Sequence, residues 1–383
     1  MFEKGEYISY ANCGLPYYIG GVIGCRDSLF VQTPESFGRR FNIDVRTRSE
    51  VIRINPACKT VSVRTSDGNV YEESYDRLLL SPGASPVVPP LKGVGSARVF
   101  TLRNVNDTDR IKEFMSREGV RRAVIIGAGF IGLEMAENLR HAGLEVAVVE
   151  MADQVMGPLD YSMAAIVHGH LQQHGVELFL KRAVESFDDV PEGIAVNLDT
   201  GEVIKAQMVI LSIGVRPETS LASDAGLKIG EARGIYVDEY LRTSDRNIYA
   251  VGDAVEFPHP VTGRPWLNFL AGPANRQARI VADNIVFGDR IKYEGSIGTS
   301  VAKVFDLTVA STGLPAKRLK QMEIPCLSAT VHPGSNAGYY PGAEQISIKI
   351  TFSPSDGRLL GAQIVGRSGV DKRIDEFAMV NGV

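Results

Sequence analysis

The sequence predicts an α/β protein of more than one domain, with parallel-sheet units first and a separate strand-rich α+β domain at the end. Three observations lead there. The segment "RRAVIIGAGFIGLEMAENLRHAGLEVAVVE" passes from an apolar strand through a glycine turn and an amphipathic helix to a second strand, a complete βαβ unit. Two later apolar runs, "MVILSIGVRPE" and "NIYAVGDAVE", each close on a glycine, Gly214 and Gly252, as parallel strands do where they meet a loop. The last third, from "GTSVAKVFDLTVASTGL" to "ISIKITFSPSDGRLLGAQIVG", alternates apolar and polar residues between hairpin-like turns.

Length and composition narrow the class. A chain of 383 residues exceeds what one hydrophobic core organises, so two or three domains are expected. With 44% hydrophobic residues, 22% charged residues and 39 glycines, the chain is globular rather than disordered or fibrous. A net charge of −4 without basic blocks excludes an electrostatic footprint for nucleic acid and points to a small-molecule substrate. Cys13, Cys25, Cys58 and Cys326 lack CxxC spacing, which argues against a structural zinc site and a secreted disulfide framework; no metal ligand is expected. No apolar run reaches membrane-spanning length and the start carries no signal-peptide layout, so a reducing cytoplasm is expected.

In the βαβ unit the strand is expected over Ala123 to Ile126, the helix through about His141 and the second strand over Val146 to Val149. Gly127, Gly129 and Gly132 form GxGxxG, which allows a tight turn, close approach of backbone to a pyrophosphate, and close packing of helix on strand. Glu150 follows the first glycine by 23 positions, where a carboxylate bonds ribose hydroxyls. The pattern predicts dinucleotide binding, and the acid favours NADH over NADPH because it would repel a 2′-phosphate. Further on, Asp253 sits where a strand's carboxyl end meets a loop, the ligand edge of an open α/β sheet. The helix "AGPANRQARIVADNI" carries Pro273 in its first turn, followed by Ala274, and its positive end suits a developing anion such as the edge of a reduced flavin.

Taken in order, "SYANCGLPYYIGG", "LLLSPGASP", "GAGFIGLE", "GVRPE", "YAVGDA", "LAGPANRQ", "GTSVAKVFDLTVA" and "NAGYYPGA" resemble the flavin-dependent pyridine nucleotide–disulfide oxidoreductases. Within them the chain looks like the single-cysteine branch of coenzyme A–disulfide reductases and NADH oxidases or peroxidases. The resemblance implies two Rossmann-like dinucleotide-binding domains, for FAD and NAD, plus a C-terminal α+β dimerisation domain. Expected limits are 1–103 and 233–296 for the two parts of the FAD domain, 104–232 for the NAD(P)H domain and 297–383 for the dimerisation domain. Family members open with a glycine loop for FAD ahead of an acid touching its ribose. Here Glu3 matches that acid, so the first domain is expected to be incomplete, and the chain truncated at both ends.

The resemblance also assigns site residues. In dithiol relatives the redox cysteine has a partner five positions on; here that position is Tyr18, so Cys13 cycles as a mixed disulfide with a small thiol or as a sulfenic acid. Asn12 and Pro16 tilt the reading toward a thiol substrate, because oxidases and peroxidases read more like "SFLSCG". A thiolate nucleophile needs a depressed pKa, for which flavin and helix dipoles are the expected source. Phe130 is the expected gate over the flavin and Glu134 lies near the nicotinamide; Ser81, Gly83, Ala84, Gly214 and Gly252 match cofactor-contacting turns. Ser9, Asn12, Gln32, Phe37 and Arg40 match the family's coenzyme A contacts. Tyr339 or Tyr340, reaching in from a partner subunit, is the expected proton donor to the leaving thiolate, although Asn336 stands where relatives often carry histidine.

The activity so implied is that of a homodimeric FAD- and NADH-dependent reductase of coenzyme A disulfide or persulfide, with NADPH as a possible donor. An NADH oxidase or peroxidase cycling a sulfenic acid is the alternative, and a non-catalytic NAD-binding fragment is a second. Neither nucleic acid nor membrane is an expected partner.

Overall fold

A computed structural model describes residues 1–381. In chain order the helices are α1 (Leu15–Ile19), α2 (Pro34–Phe41), α3 (Val105–Glu118), α4 (Phe130–His141), α5 (Tyr161–Gln173), α6 (Ser220–Asp224), α7 (Ala271–Phe287), α8 (Ala316–Gln321) and α9 (Val370–Asn381). The described chain divides into two compact units, the first made of 1–11, 26–85 and 215–296, the second of 12–25, 86–214 and the residues from 297 onward.

In the first unit, Leu78–Leu80 and Ile248–Ala250 pair in parallel and lead into the turns of Ser81 and Gly252. An antiparallel sheet of Ser49–Asn55, Thr60–Thr65 and Val70–Ser74 lies in the same unit. Ile54, Val63, Leu80, Ile248 and Ala250 share one core with Val281 of α7.

The second unit is built on a five-stranded parallel sheet. Its order is Val176–Leu180, Glu145–Glu150, Arg122–Ile126, Met208–Leu211, Val99–Thr101. Arg122–Ile126 is buried along almost its whole length, as expected for a strand covered on both faces. The chain leaves this strand through α4 to one neighbour, while Met208–Leu211 flanks the other side. Its carboxyl end is therefore where the strand order reverses, the crevice in which open α/β sheets bind ligands. The expected βαβ elements appear within a residue or two of the predicted limits. Val99–Thr101 lies before the limit expected at residue 104, yet it is the edge strand of this sheet, held by register pairing with Met208–Leu211. "MVILSIG" also differs in detail: the strand stops at Leu211, and Gly214 follows in a turn with φ 114°.

The strand-rich end of the chain forms an antiparallel sheet in the order Ser300–Val304, Leu307–Gly313, Leu359–Gly366, Ile346–Phe352, Leu327–Val331. Val370 and Ile374, one turn apart on α9, pack onto Ala310, Ile348 and Ile364 of this sheet. Among the described residues no helix is long and apolar enough to cross a membrane.

Candidate functional site

The glycine turn after Arg122–Ile126 behaves as its spacing predicts. Gly127 has φ 100°, and a Cβ there would lie 2.5 Å from the Ser212 carbonyl oxygen. A Cβ on Gly132 would lie 2.1 Å from the Gly127 carbonyl oxygen, so this glycine lets α4 sit against its own turn. Gly129 is different, since a Cβ there would meet nothing within 4 Å: its bareness serves whatever approaches from outside. Gly129 is also the N-cap of α4 and offers no side-chain cap, which leaves first-turn N–H groups for an anion. Glu150 accepts from the Ala128 amide through Oε2 and from the Ala152 amide through Oε1, both at 2.8 Å. The carboxylate thus braces the glycine turn, and each oxygen keeps a second lone pair for a sugar hydroxyl. These residues fit a dinucleotide.

Cys13 lies in a short 3₁₀ turn, Asn12–Gly14, directly ahead of α1. Residues 12–25 belong to the second unit because α1 is packed between α3 and α4. Lys112 of α3 donates to the Tyr18 carbonyl at 2.8 Å and sits 4.3 Å over the Tyr18 ring. At the other end a Cβ on Gly20 would collide with Asn138 of α4. Tyr18, standing where a second cysteine would be, is therefore an anchor of the turn. Asn12 and Cys13 are exposed, and the described cysteines are all free.

The protein's own groups work against a thiolate at Cys13. Although Cys13 is open to solvent, protein packed on its inner side and the Glu134 carboxylate push its thiol above the ordinary range; only a backbone hydrogen bond acts the other way. The five-residue α1 is too short to supply a strong dipole, so this chain's own residues do not depress the thiol pKa. Burial, then Glu137, raises Glu134 to about 7. Phe130 and Glu134, four residues apart, share a face of α4, and both are half-buried. Tyr17 is raised to about 12 by burial, Glu134, Glu137 and Cys13 in that order. Tyr17 and Glu137 were not singled out from the sequence. Glu137 could have been found at helical spacing from Glu134, whereas Tyr17 needs the packing of α1 on α4.

In the first unit the residues matching flavin contacts collect around α7. Gly252, with φ 78°, donates to Gln277 Oε1 at 2.7 Å, and burial raises the neighbouring Asp253 carboxyl. The first turn of α7, with Pro273 and Ala274, has no side-chain cap. Asn268 Nδ2 is buried without a hydrogen-bond partner in a small cavity lined by Gly252, Gln277 and Tyr293. An orphaned donor, an uncapped helix start and a glycine turn fit a polar group such as the edge of FAD. Ser81, Gly83 (φ 74°) and Ala84 follow Leu78–Leu80, the parallel partner of the strand before Gly252. Glu3 is drawn inward, its Oε1 accepting from the Gly5 amide at 2.6 Å.

Four of the five residues matching coenzyme A contacts also lie in the first unit. Ser9 and Gln32 are cross-strand partners in the pairing of Ser9–Tyr10 with Phe30–Gln32. Phe37 and Arg40 lie on α2, which Thr33 and Ser36 start with a reciprocal capping box and which ends in Arg39 and Arg40. Asn12 lies in the second unit beside Cys13. Tyr339 and Tyr340 are 91% and 61% exposed on the loop before Ile346–Phe352. Among the described residues neither ring stacks on or bonds to another side chain.

Residues 1–270 match the pyridine nucleotide-disulphide oxidoreductase family and residues 299–382 its dimerisation domain. The chain is 38% identical to the NADH oxidase of Methanocaldococcus jannaschii over 99% of its own length and 84% of that protein's. It is 35% identical to the coenzyme A disulfide reductase of Staphylococcus aureus, again over 99% of its length and 85% of that protein's. The crystal structure of reduced CoADR-RHD from Bacillus anthracis superposes with a TM-score of 0.97 at 51% identity, covering 100% of this chain and 68% of that one. With both family domains matched, the chain belongs to the pyridine nucleotide-disulphide oxidoreductase family and is a FAD-dependent NAD(P)H oxidoreductase.

Proposed function

We propose that the protein reduces coenzyme A disulfide, or a coenzyme A persulfide, with NADH, and that Cys13 is the redox nucleophile. The observation that carries this reading is a lone, exposed, free thiol in the Asn-Cys-Gly-Leu-Pro turn, with Tyr18 in the position of a partner cysteine.

The Cys13 thiolate attacks one sulfur of the substrate, a Cys13–coenzyme A disulfide forms, and the other coenzyme A leaves as a thiolate that takes up a proton. FAD would be held at the Gly252 turn, Asn268 and the uncapped first turn of α7, and would supply the two-electron relay between NADH and the mixed disulfide. One NADH and one proton are consumed per disulfide, two thiols are released and Cys13 is regenerated. Glu134, titrating at about 7 beside Cys13, holds or gives up a proton near the sulfur at working pH. The uncapped start of α4 holds the nucleotide's phosphates, and Glu150 its ribose; a 2′-phosphate would be repelled there, which selects NADH. Ser9, Asn12, Gln32, Phe37 and Arg40 hold coenzyme A. Tyr339 or Tyr340 of a second copy donates to the leaving thiolate, so the working form is a homodimer.

The test is NADH consumption driven by coenzyme A disulfide in the wild type and in Cys13→Ser, with mass spectrometry of the Cys13 peptide. Loss of turnover in the variant, and a coenzyme A adduct on Cys13 removed by a reducing thiol, support the proposal. Similarity to an NADH oxidase supplies the competing reading. Oxygen or peroxide reduction without coenzyme A, with a trappable sulfenic acid on Cys13, would replace the disulfide reading.

A further inference from the structure

A second cluster of chemically active side chains lies in the second unit, at the end of α5. His170 and His174 are one turn apart, so their rings leave the same face, with centroids 4.4 Å apart. Facing them is the turn that joins Ser300–Val304 to Leu307–Gly313, which presents Asp306. His170 Nε2 lies 2.7 Å and His174 Nε2 3.9 Å from the same oxygen, Asp306 Oδ1. The three donor atoms all lie within 4.8 Å of one another.

Three features mark this as a ligand set rather than a hydrogen-bond network. The His170 side chain is 6% exposed, and its Nε2, although close to Asp306, has no partner in hydrogen-bond geometry. His174 Nδ1 lies 2.9 Å from the His170 carbonyl oxygen. A carbonyl only accepts, so Nδ1 carries the hydrogen, and Nε2 is the nitrogen left to face Asp306 and a ligand. The supports are also in place: Arg367 Nε binds Asp306 Oδ2 at 3.0 Å and turns Oδ1 inward, while the His174 ring stacks on Phe305 at 4.1 Å and 17°.

We propose that His170 Nε2, His174 Nε2 and Asp306 Oδ1 bind one Zn²⁺, with water in the fourth position. Tetrahedral zinc holds its nitrogen and oxygen ligands at about 2.0–2.2 Å, so neighbouring ligand atoms stand roughly 3.3–3.5 Å apart. The separations of 2.7 and 3.9 Å lie on either side of that value, and the third pair stands within 4.8 Å. An open depression of about 460 Å³, lined by Glu137, Arg140, His141, His174, Phe305 and Asp306, admits the ion and its water. Arg140, Arg367 and protonated His141 oppose the metal's charge and Glu137 favours it. The chemistry is structural: the ion ties α5, which flanks the parallel sheet, to the first hairpin of the antiparallel sheet.

The test uses the whole protein, stripped with a chelator and alkylated at its cysteines so that Cys13, Cys25, Cys58 and Cys326 take no zinc. Titration with zinc chloride at about pH 7.5 should show one ion per chain and a raised thermal midpoint. Binding should weaken by at least about tenfold in acid, because a protonated imidazole cannot ligate the ion. It should be lost in Asp306→Asn and in His174→Gln, whose half-buried ring can be replaced without opening the core. No zinc uptake by the wild-type protein, or uptake unchanged by His174→Gln, would overturn the proposal.

Discussion

At the scale of single residues, Cys13 and Glu134 form one electrostatic pair. Above about pH 7 the charged Glu134 disfavours a thiolate beside it, and below that pH the proton on Glu134 removes the repulsion. Glu134→Gln should therefore lower the Cys13 pKa and raise its alkylation rate at mildly alkaline pH by roughly threefold. A rate equal to or below the wild type would sink that coupling. The same residue affects stability. Between its ordinary 4.5 and about 7 the folded chain holds a proton on Glu134 that the unfolded chain has lost. Its contribution is thus fully present below 4.5 and falls as pH rises through 7, by at most about 3 kcal/mol before solvent screening. Denaturant midpoints measured across this window should flatten in Glu134→Gln.

At the scale of elements, the strand, turn and helix around GxGxxG divide their glycines between folding and binding. Gly132→Ala puts a methyl 2.1 Å from the Gly127 carbonyl oxygen, so α4 must move off its turn. Both stability and NADH affinity should fall, the former by about 1–3 kcal/mol. Gly129→Ala meets no protein atom within 4 Å and should keep its melting temperature while losing about tenfold or more in NADH affinity. Calorimetry alongside NADH titration separates the two, and equal effects from both substitutions would contradict this division. The βαβ unit was legible because each part is local: an apolar run, glycine spacing and a helical stripe within thirty-odd residues. The small α1 was not legible as a wedge, because its contacts with Lys112 and Asn138 come from distant segments.

At the scale of the molecule, one buried carboxylate ties the helix α5 that flanks the parallel sheet of the second unit to its five-stranded antiparallel sheet. Asp160, at the start of α5, accepts from the amides of Ala316 and Lys317 and from Gln363 Nε2, and pairs with Lys349 Nζ at 2.9 Å. Burial alone would raise its pKa, but Lys349, the Lys317 amide and Gln363 outweigh it and hold the carboxyl below its usual range. Its stabilisation is therefore present above the ordinary carboxylate pKa and lost as pH falls through the lower folded value. Asp160→Ala leaves Lys349 uncompensated and should cost about 3–5 kcal/mol in urea denaturation. A loss under about 1 kcal/mol would show that α5 and the antiparallel sheet are held together by apolar packing instead. The exposed Tyr339 and Tyr340 carry the dimer proposal: a chain that sediments as a monomer when active would leave them without a catalytic role.

The sequence by itself determined the fold class, the dinucleotide turn and the family, because glycine spacing, apolar periodicity and the order of motifs are properties of neighbouring residues. It also identified Cys13 as a thiol without a partner, since the absence of a cysteine at Tyr18 can be read directly. Only the tertiary structure decided the charge around that thiol, because burial and then Glu134, both set by the packing of α1 on α4, raise its pKa within the protein. Likewise only packing brings Asp306, from the first hairpin of the antiparallel sheet, to His170 and His174 at the end of α5. Long-range packing brings such groups together, and the pKa of a buried group depends on neighbours that no local pattern contains.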